Sequence, residues 1–217
     1  MDNFLNDIKR LKSIADIGLL YAKDPYDRER YKEIHNISLS MMVRLTDTPL
    51  SKWRATTSRT SGLTDFYLEN SDYPTPKVDI RAFVMDENDD ILMVRESADG
   101  CWSLPGGWAD IGLSPREVAI KEVFEETGLR VEAQHLMAVF DKKCHPHPPQ
   151  LPYVYKIVLS CRLTEYPQTE QKGFDILEVG WFSIYNLPPL STHRIVESQI
   201  LLLHNQYKVP EPEPYFD

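Results

Sequence analysis

Between Trp102 and Leu129 the chain reads WSLPGGWADIGLSPREVAIKEVFEETGL, and few folds can accommodate this stretch. Ser114 is placed to cap a helix, with Pro115 at its first position and Glu117 at its third, the arrangement of a capping box. Gly128 follows the last turn, where a left-handed residue ends a helix. The sequence therefore predicts a helix from about Pro115 to Thr127. Val118, Ala119, Val123 and Phe124, with Leu129 beyond the end, give it an apolar face that can dock on a sheet.

The other face is acidic. Glu122, Glu125 and Glu126 stand at i, i+3 and i+4, which puts their β-carbons about 5 to 6 Å apart. Like charges at this spacing cost roughly 0.2 to 0.5 kcal/mol per pair, and more in a cleft. One reading is a solvated acidic helix face. The other is a cation site, since three hard oxygen donors suit Mg²⁺ or Mn²⁺, ions commonly shared between carboxylates, water and phosphate oxygens. Pro105, Gly106 and Gly107 form a loop whose glycines let backbone groups come close to a ligand.

These residues resemble the Nudix hydrolase signature: Gly, five residues, Glu, seven residues, then Arg-Glu-aliphatic-any-Glu-Glu-any-Gly-aliphatic. The chain supplies Gly107, then Leu113, then Lys121-Glu122-Val123-Phe124-Glu125-Glu126-Thr127-Gly128-Leu129. The resemblance implies that Glu122, Glu125 and Glu126 bind metal and carry the catalysis, with the Gly107 carbonyl as an added ligand and Mg²⁺ or Mn²⁺ as cofactor. Two positions depart from it. The family's first Glu is Leu113 here and its Arg is Lys121, so both halves of a structural ion pair are replaced. The expectation is that Leu113 packs against the loop and helix, while Lys121 pairs with Glu117 or Glu125.

Length and charge narrow the function. The chain has 217 residues, and its 24 Lys plus Arg against 33 Asp plus Glu give a net charge of -9. That balance argues against DNA or an anionic membrane as partner and disfavours RNA. Cys101, Cys144 and Cys161 are an odd number without metal-like spacing, so they read as reduced thiols. A polar N-terminal segment and the lack of an apolar run of ~20 residues predict a soluble, cytoplasmic protein.

Three segments are expected: a helical hairpin over 1–46, a linker over 47–77 and a Nudix domain over 78–217. Phe4, Ile8, Leu11, Ala15 and Gly18 mark the stripe of a first helix from about Asn3 to Tyr21. Asp24 reads as the N-cap of a second helix, whose stripe is Tyr31, Ile34, Ile37, Met41 and Leu45. These stripes exceed what a hairpin can cover, which predicts docking elsewhere in the chain or a homodimer. In the linker, Trp53, Phe66 and Tyr67 read as surface anchors.

Val78 to Met85 and Ile91 to Arg95 read as a hairpin, with further strands at Leu129 to Phe140, Tyr153 to Leu163 and Leu177 to Ser183, and a last helix from about Thr192 to Gln206. The resemblance makes this an α/β fold, a Nudix α/β/α sandwich with a mixed sheet, preceded by the helical hairpin. Arg81, Arg95 and Lys142 are candidate phosphate contacts. Trp108, Phe140 and Tyr155 are candidates for the slot of a base. His145 and His147 could pair on a metal or stand solvated in a proline-stiffened loop. Nudix enzymes often take a further carboxylate from a late loop, for which Glu170, Asp175 and Glu178 qualify.

The hairpin and the departures in the loop also resemble a bacterial subgroup described as ADP-ribose or CDP-choline pyrophosphatases. That implies hydrolysis of a nucleoside diphosphate linked to X. The alternatives are a Nudix-fold protein that senses a nucleotide without cleaving it, and a hydrolase of RNA ends or nucleoside triphosphates.

Overall fold

A computed structural model of the chain describes residues 2–46, 74–150, 152–165, 173–210 and 212–217. Trp53, Phe66, Tyr67, Glu170 and nearly all of the expected linker lie outside them. The chain divides into two compact units, Met1–Pro76 with Pro149–Tyr153, and Lys77–Pro148 with Val154–Asp217.

The first unit is built on helices α1 (Asp2–Tyr21) and α2 (Pro25–Thr46). Asp24 caps α2, its carboxylate accepting from the Tyr26 and Asp27 amides at 2.7 and 3.3 Å. Leu5, Ile8 and Met42 form the buried centre, with Met41 and Leu45 against it. The expected stripe of α2 is out of phase with this. His35, Ser38 and Met42 are the buried residues, whereas Ile34 and Ile37 are exposed. The cause is polar: His35 Nδ1 lies 2.6 Å from Asp16, which also accepts from Lys12 at 2.6 Å, so the helices meet around a buried hydrogen-bonded pair. At the turn end Tyr31 packs where a side chain at Gly18 would have to stand.

The second unit contains strands β1 (Lys77–Val84), β2 (Asp90–Glu96), β3 (Trp102–Ser103), β4 (Gly106–Trp108), helix α3 (Pro115–Thr127), strands β5 (Arg130–Asp141), β6 (Val154–Glu165) and β7 (Ile176–Ser183), helix α4 (Glu197–Tyr207) and strand β8 (Tyr215–Phe216). One mixed sheet has the order β4-β1-β6-β5-β8 and the other β3-β2-β7. Val118, Ala119 and Val123 of α3 pack on Ile80, Ala82 and Val84. On the opposite face Ile200 and Leu203 of α4 join Phe83, Met137 and Phe140. This is the expected α/β/α arrangement.

Three details correct the sequence reading, and the pairing of the C-terminal strand adds to it. β1 and β2 do not form a ladder with each other, because the edges of each are claimed by other strands, β4 and β6 for β1 and β3 and β7 for β2; they share one bridge, Met85 to Ile91. The last helix starts later, at Glu197, after a turn through Arg194. The acidic tail ends in β8, which pairs parallel with Ala138 and Val139. On α3, buried Thr127 replaces Phe124, which is turned outward beneath the Arg130 guanidinium. The three cysteines are free, and no described helix is long and apolar enough to cross a membrane.

Candidate active site

The site starts at β1. Arg81 is buried and donates from Nη1 to the Leu104 carbonyl at 2.9 Å, and the Ala82 amide donates to the Pro105 carbonyl at 2.9 Å. These bonds pin the loop that follows β3. Gly106 must be glycine, since φ is 142° and a β-carbon would stand 2.1 Å from the Ile80 carbonyl oxygen. Pinned this way, the loop faces α3.

α3 is held at both ends as its sequence demands. Ser114 Oγ accepts from the Glu117 amide, and Glu117 accepts from the Ser114 amide at 2.8 Å. Gly128 closes the helix at φ 72°, its amide donating to Phe124. With the helix fixed, Glu126 Oε2 accepts from the Gly106 amide at 3.0 Å. The Glu122 carboxylate lies so close to Gly107 that a β-carbon there would be 3.1 Å from its oxygen. Glu125 is the most open of the three, its side chain 54% exposed against 16% for Glu122.

Burial raises the pKa of Glu126 to about 8, aided by Glu96 and Glu122 and opposed by Arg81 and the Gly106 amide. Burial also raises that of Glu122, against the pull of Lys121. The three carboxylates share a face, yet no cluster of three His, Cys, Asp or Glu side chains is preassembled for a metal among the described residues. Glu126 is turned to the loop, and Lys121 occupies the Glu122–Glu125 edge.

The ion pair that the signature residues lack is present in another form. Lys121 Nζ lies 3.2 Å from Asp110, 3.3 Å from Glu122 and 3.1 Å from Glu125. Glu125 is one of the two partners expected for it; Glu117 is occupied in the capping box. Asp110 was not anticipated. Leu113 is 38% exposed and braces the loop less than its apolar character suggested.

The structure separates the other candidates. Arg95 donates to the Gly100 carbonyl at 2.9 Å and to Glu178 at 3.0 Å, so Arg95 and Glu178 cover the surface of β2 and β7 together. Asp175 lies in an exposed turn docked on the end of α3, where the Gly173 amide donates to the Glu126 carbonyl at 3.2 Å. Trp108 is half-exposed, with the Lys77 ammonium 5.4 Å from its ring centroid, and Tyr155 is also partly open. Phe140 is fully buried in the core, which leaves it no surface for a base. Lys142 is buried and donates to the His193 carbonyl at 2.5 Å. His145 pairs with Asp217 at 3.0 Å and His147 with the Thr192 carbonyl at 2.7 Å, so these imidazoles form neither a metal pair nor a solvated one. Burial lowers the His147 pKa to about 4.

Behind the loop lies a buried polar network that sequence reasoning missed. Asp79 takes Arg81 Nε at 2.9 Å and also pairs with fully buried Lys156. Glu96 accepts from Ser103 at 2.8 Å and pairs with Arg194 at 2.9 Å. The available signal was the charged residues Asp79, Arg81 and Lys156 set inside the otherwise apolar strand patterns VDIRA and YVYKI.

Residues 75–203 match the NUDIX domain family. The chain belongs to the Nudix family. Residues 2–56 of this Nudix protein match a second family, described as the UDP-X-like, N-terminal oligomerisation domain. A protein of Bacillus subtilis (strain 168) described as a putative ADP-ribose pyrophosphatase is 38% identical over 99% of this chain and 97% of its own. Among solved structures, a UDP-X diphosphatase is 32% identical with a TM-score of 0.59, covering 99% of this chain and 98% of that one. An ADP-ribose pyrophosphatase from Streptococcus suis is 39% identical with a TM-score of 0.58, covering 66% of this chain and all (100%) of that one. With these relatives, the chain is a Nudix hydrolase.

Proposed function

We propose that this Nudix hydrolase cleaves the diphosphate of a nucleoside diphosphate linked to X, of the ADP-ribose, UDP-X or CDP-choline type, giving a nucleoside monophosphate and phospho-X. The observation that carries the reading is the junction of α3 and its loop, where Gly106 and Gly107 bring bare backbone against Glu126 and Glu122. The full-length similarity to a putative ADP-ribose pyrophosphatase supports the substrate class.

The residues fit a divalent metal. Gly107 leaves room beside Glu122 that any side chain would fill, and the donors are all hard oxygens. Glu122, Glu125 and Glu126, with the Gly107 carbonyl, would hold Mg²⁺ or Mn²⁺, which supplies charge neutralisation at the diphosphate and acidifies water. The chain's own part is positional. The Gly106 amide fixes the direction of the Glu126 carboxylate, and the caps of α3 fix the helix that carries all three. Trp108, beside Lys77, offers a half-exposed ring for a base. In the net reaction water adds to one phosphorus and gives up its protons to solvent, the bridging P–O bond breaks, and the leaving phosphate takes the electron pair.

Phosphate analysis of reactions with ADP-ribose, UDP-sugars, CDP-choline, NADH, dinucleoside polyphosphates, nucleoside triphosphates and capped RNA should show turnover of diphosphate-linked compounds and its loss in EDTA. Turnover of triphosphates alone, or of RNA alone, would overturn the substrate class. Activity undiminished by EDTA would overturn the metal assignment.

The hairpin belongs to the same reading. Phe4, Leu11, Ile14, Ile34 and Ile37 are exposed in its unit, more apolar surface than a soluble hairpin keeps without a partner. The match to an N-terminal oligomerisation domain supports a homodimer formed through it. Sedimentation of the full chain at micromolar concentration is expected to give a dimer, and a monomer there would exclude it.

A further inference from the structure

Lys121 has an environment that a simple brace does not explain. Its ammonium is shared among Asp110 at 3.2 Å, Glu122 at 3.3 Å and Glu125 at 3.1 Å. Asp110 belongs to the loop, while the other two belong to the face that holds metal in the reading above. Leu113, which stands where the signature has Glu, cannot accept a hydrogen bond. The turn in which the Leu113 amide donates to the Asp110 carbonyl at 3.3 Å brings an acid to the same place from three residues upstream.

The type of cation matters. An arginine fork favours bidentate pairing with a single carboxylate, whereas an ammonium on a flexible stem is a point charge that several acids can share. The Lys121 side chain is 34% exposed, so packing does not lock it in one place. Glu122 is the less mobile partner, being half-buried against Gly107. A divalent ion at Glu122 and Glu125 would repel an ammonium on the same oxygens, and Asp110 is already within its reach.

We propose that Lys121 is a tethered counter-ion of the Glu122–Glu125 edge that competes with the divalent metal, and that Asp110 is the seat to which its ammonium retreats when the metal binds. The inference rests on these glutamates being metal ligands. It makes the departure from the signature functional: this chain carries its own competitor for the metal, and so needs a higher metal concentration than a chain whose cation is held away from the site.

The test is Mn²⁺ binding by the full-length protein, read as free Mn²⁺ by electron paramagnetic resonance, for wild type, Lys121→Met, Asp110→Asn and the double variant. Lys121→Met should bind Mn²⁺ at least about fivefold more tightly, the lower end of ordinary coupling between two ligands. Asp110→Asn should bind it more weakly, and should have no effect once Lys121 is gone. Thermal melts without metal should show Lys121→Met less stable than wild type, with Mn²⁺ restoring it, which confirms folding independently. Equal or weaker Mn²⁺ binding by Lys121→Met would show a brace instead and overturn the inference. An Asp110→Asn variant that binds like wild type would remove Asp110 as the seat. No Mn²⁺ binding by wild type would overturn the metal assignment and this inference with it.

Discussion

Glu126→Gln is expected to lower kcat/KM by at least about a hundredfold, the lower end of what a positioned catalytic carboxylate contributes. The substitution keeps the size of the side chain, and its amide oxygen can still accept from the Gly106 amide that holds Glu126 at 3.0 Å. What it removes is the charge. Because burial works against that charge in the absence of metal, the neutral variant should melt no lower than wild type in EDTA. Loss of activity with unchanged stability would thus assign Glu126 to chemistry rather than to folding. The measurement is steady-state turnover of whichever diphosphate the screen identifies, in saturating Mg²⁺, beside thermal melts of both proteins. Turnover within threefold of wild type would exclude Glu126 from the catalytic set.

Much of this device could be read from the chain because its signals are local. The cap of α3 lies within four residues, its C-terminal glycine directly follows the helix, and the carboxylate spacing needs only helical geometry. The longer strands β1, β2, β5, β6 and β7 were also legible as strands, though not their partners, while the short β3, β4 and β8 were not. β1 and β2 look like a hairpin because they are neighbours in sequence, but both edges of each are taken by other strands, β4 and β6 for β1 and β3 and β7 for β2, and nothing local in the sequence names those partners.

Phe140 shows a second limit. Alternation alone sets which face a strand residue takes, but β5 carries irregularities between Arg130 and Val131, Ala133 and His135, and Leu136 and Ala138, each of which can shift the alternation. By the end of the strand, sequence parity no longer says which side chains enter the core. In the hairpin the stripe of α2 failed for a different reason. A buried Asp16–His35 pair sets the phase of the helix, and hydropathy counts both residues as surface. Asp110 escaped notice because it stands three residues from the position that the signature specifies, and only the turn brings it to Lys121.

The same long-range logic makes the Asp79 network the most consequential feature for stability. Asp79 and Lys156 are register partners on β1 and β6, far apart in sequence, and Arg81 leans on the same carboxylate. Burial alone would raise the Asp79 pKa, but Arg81 and then Lys156 outweigh it and hold the carboxyl below its usual range. Lys156 is served less well, since it shares Asp79 with Arg81, and its pKa is lowered chiefly by burial. The two partners should therefore respond unequally to removal. Asp79→Ala strands two buried cations and is expected to cost about 3 to 5 kcal/mol in urea unfolding. Lys156→Met should cost less, because Asp79 keeps Arg81 and the methionine fills the space of the lysine stem. The exposed Arg162–Glu132 pair, at 2.7 Å, gives the contrast, since its loss should stay within about 1 kcal/mol. Arg81 also holds the Leu104 carbonyl, so Asp79→Ala should loosen the loop and speed hydrogen exchange at the Gly106 amide. A cost below about 1 kcal/mol for Asp79→Ala would mean that the apolar layers on either side, and not this network, hold β1 against β6.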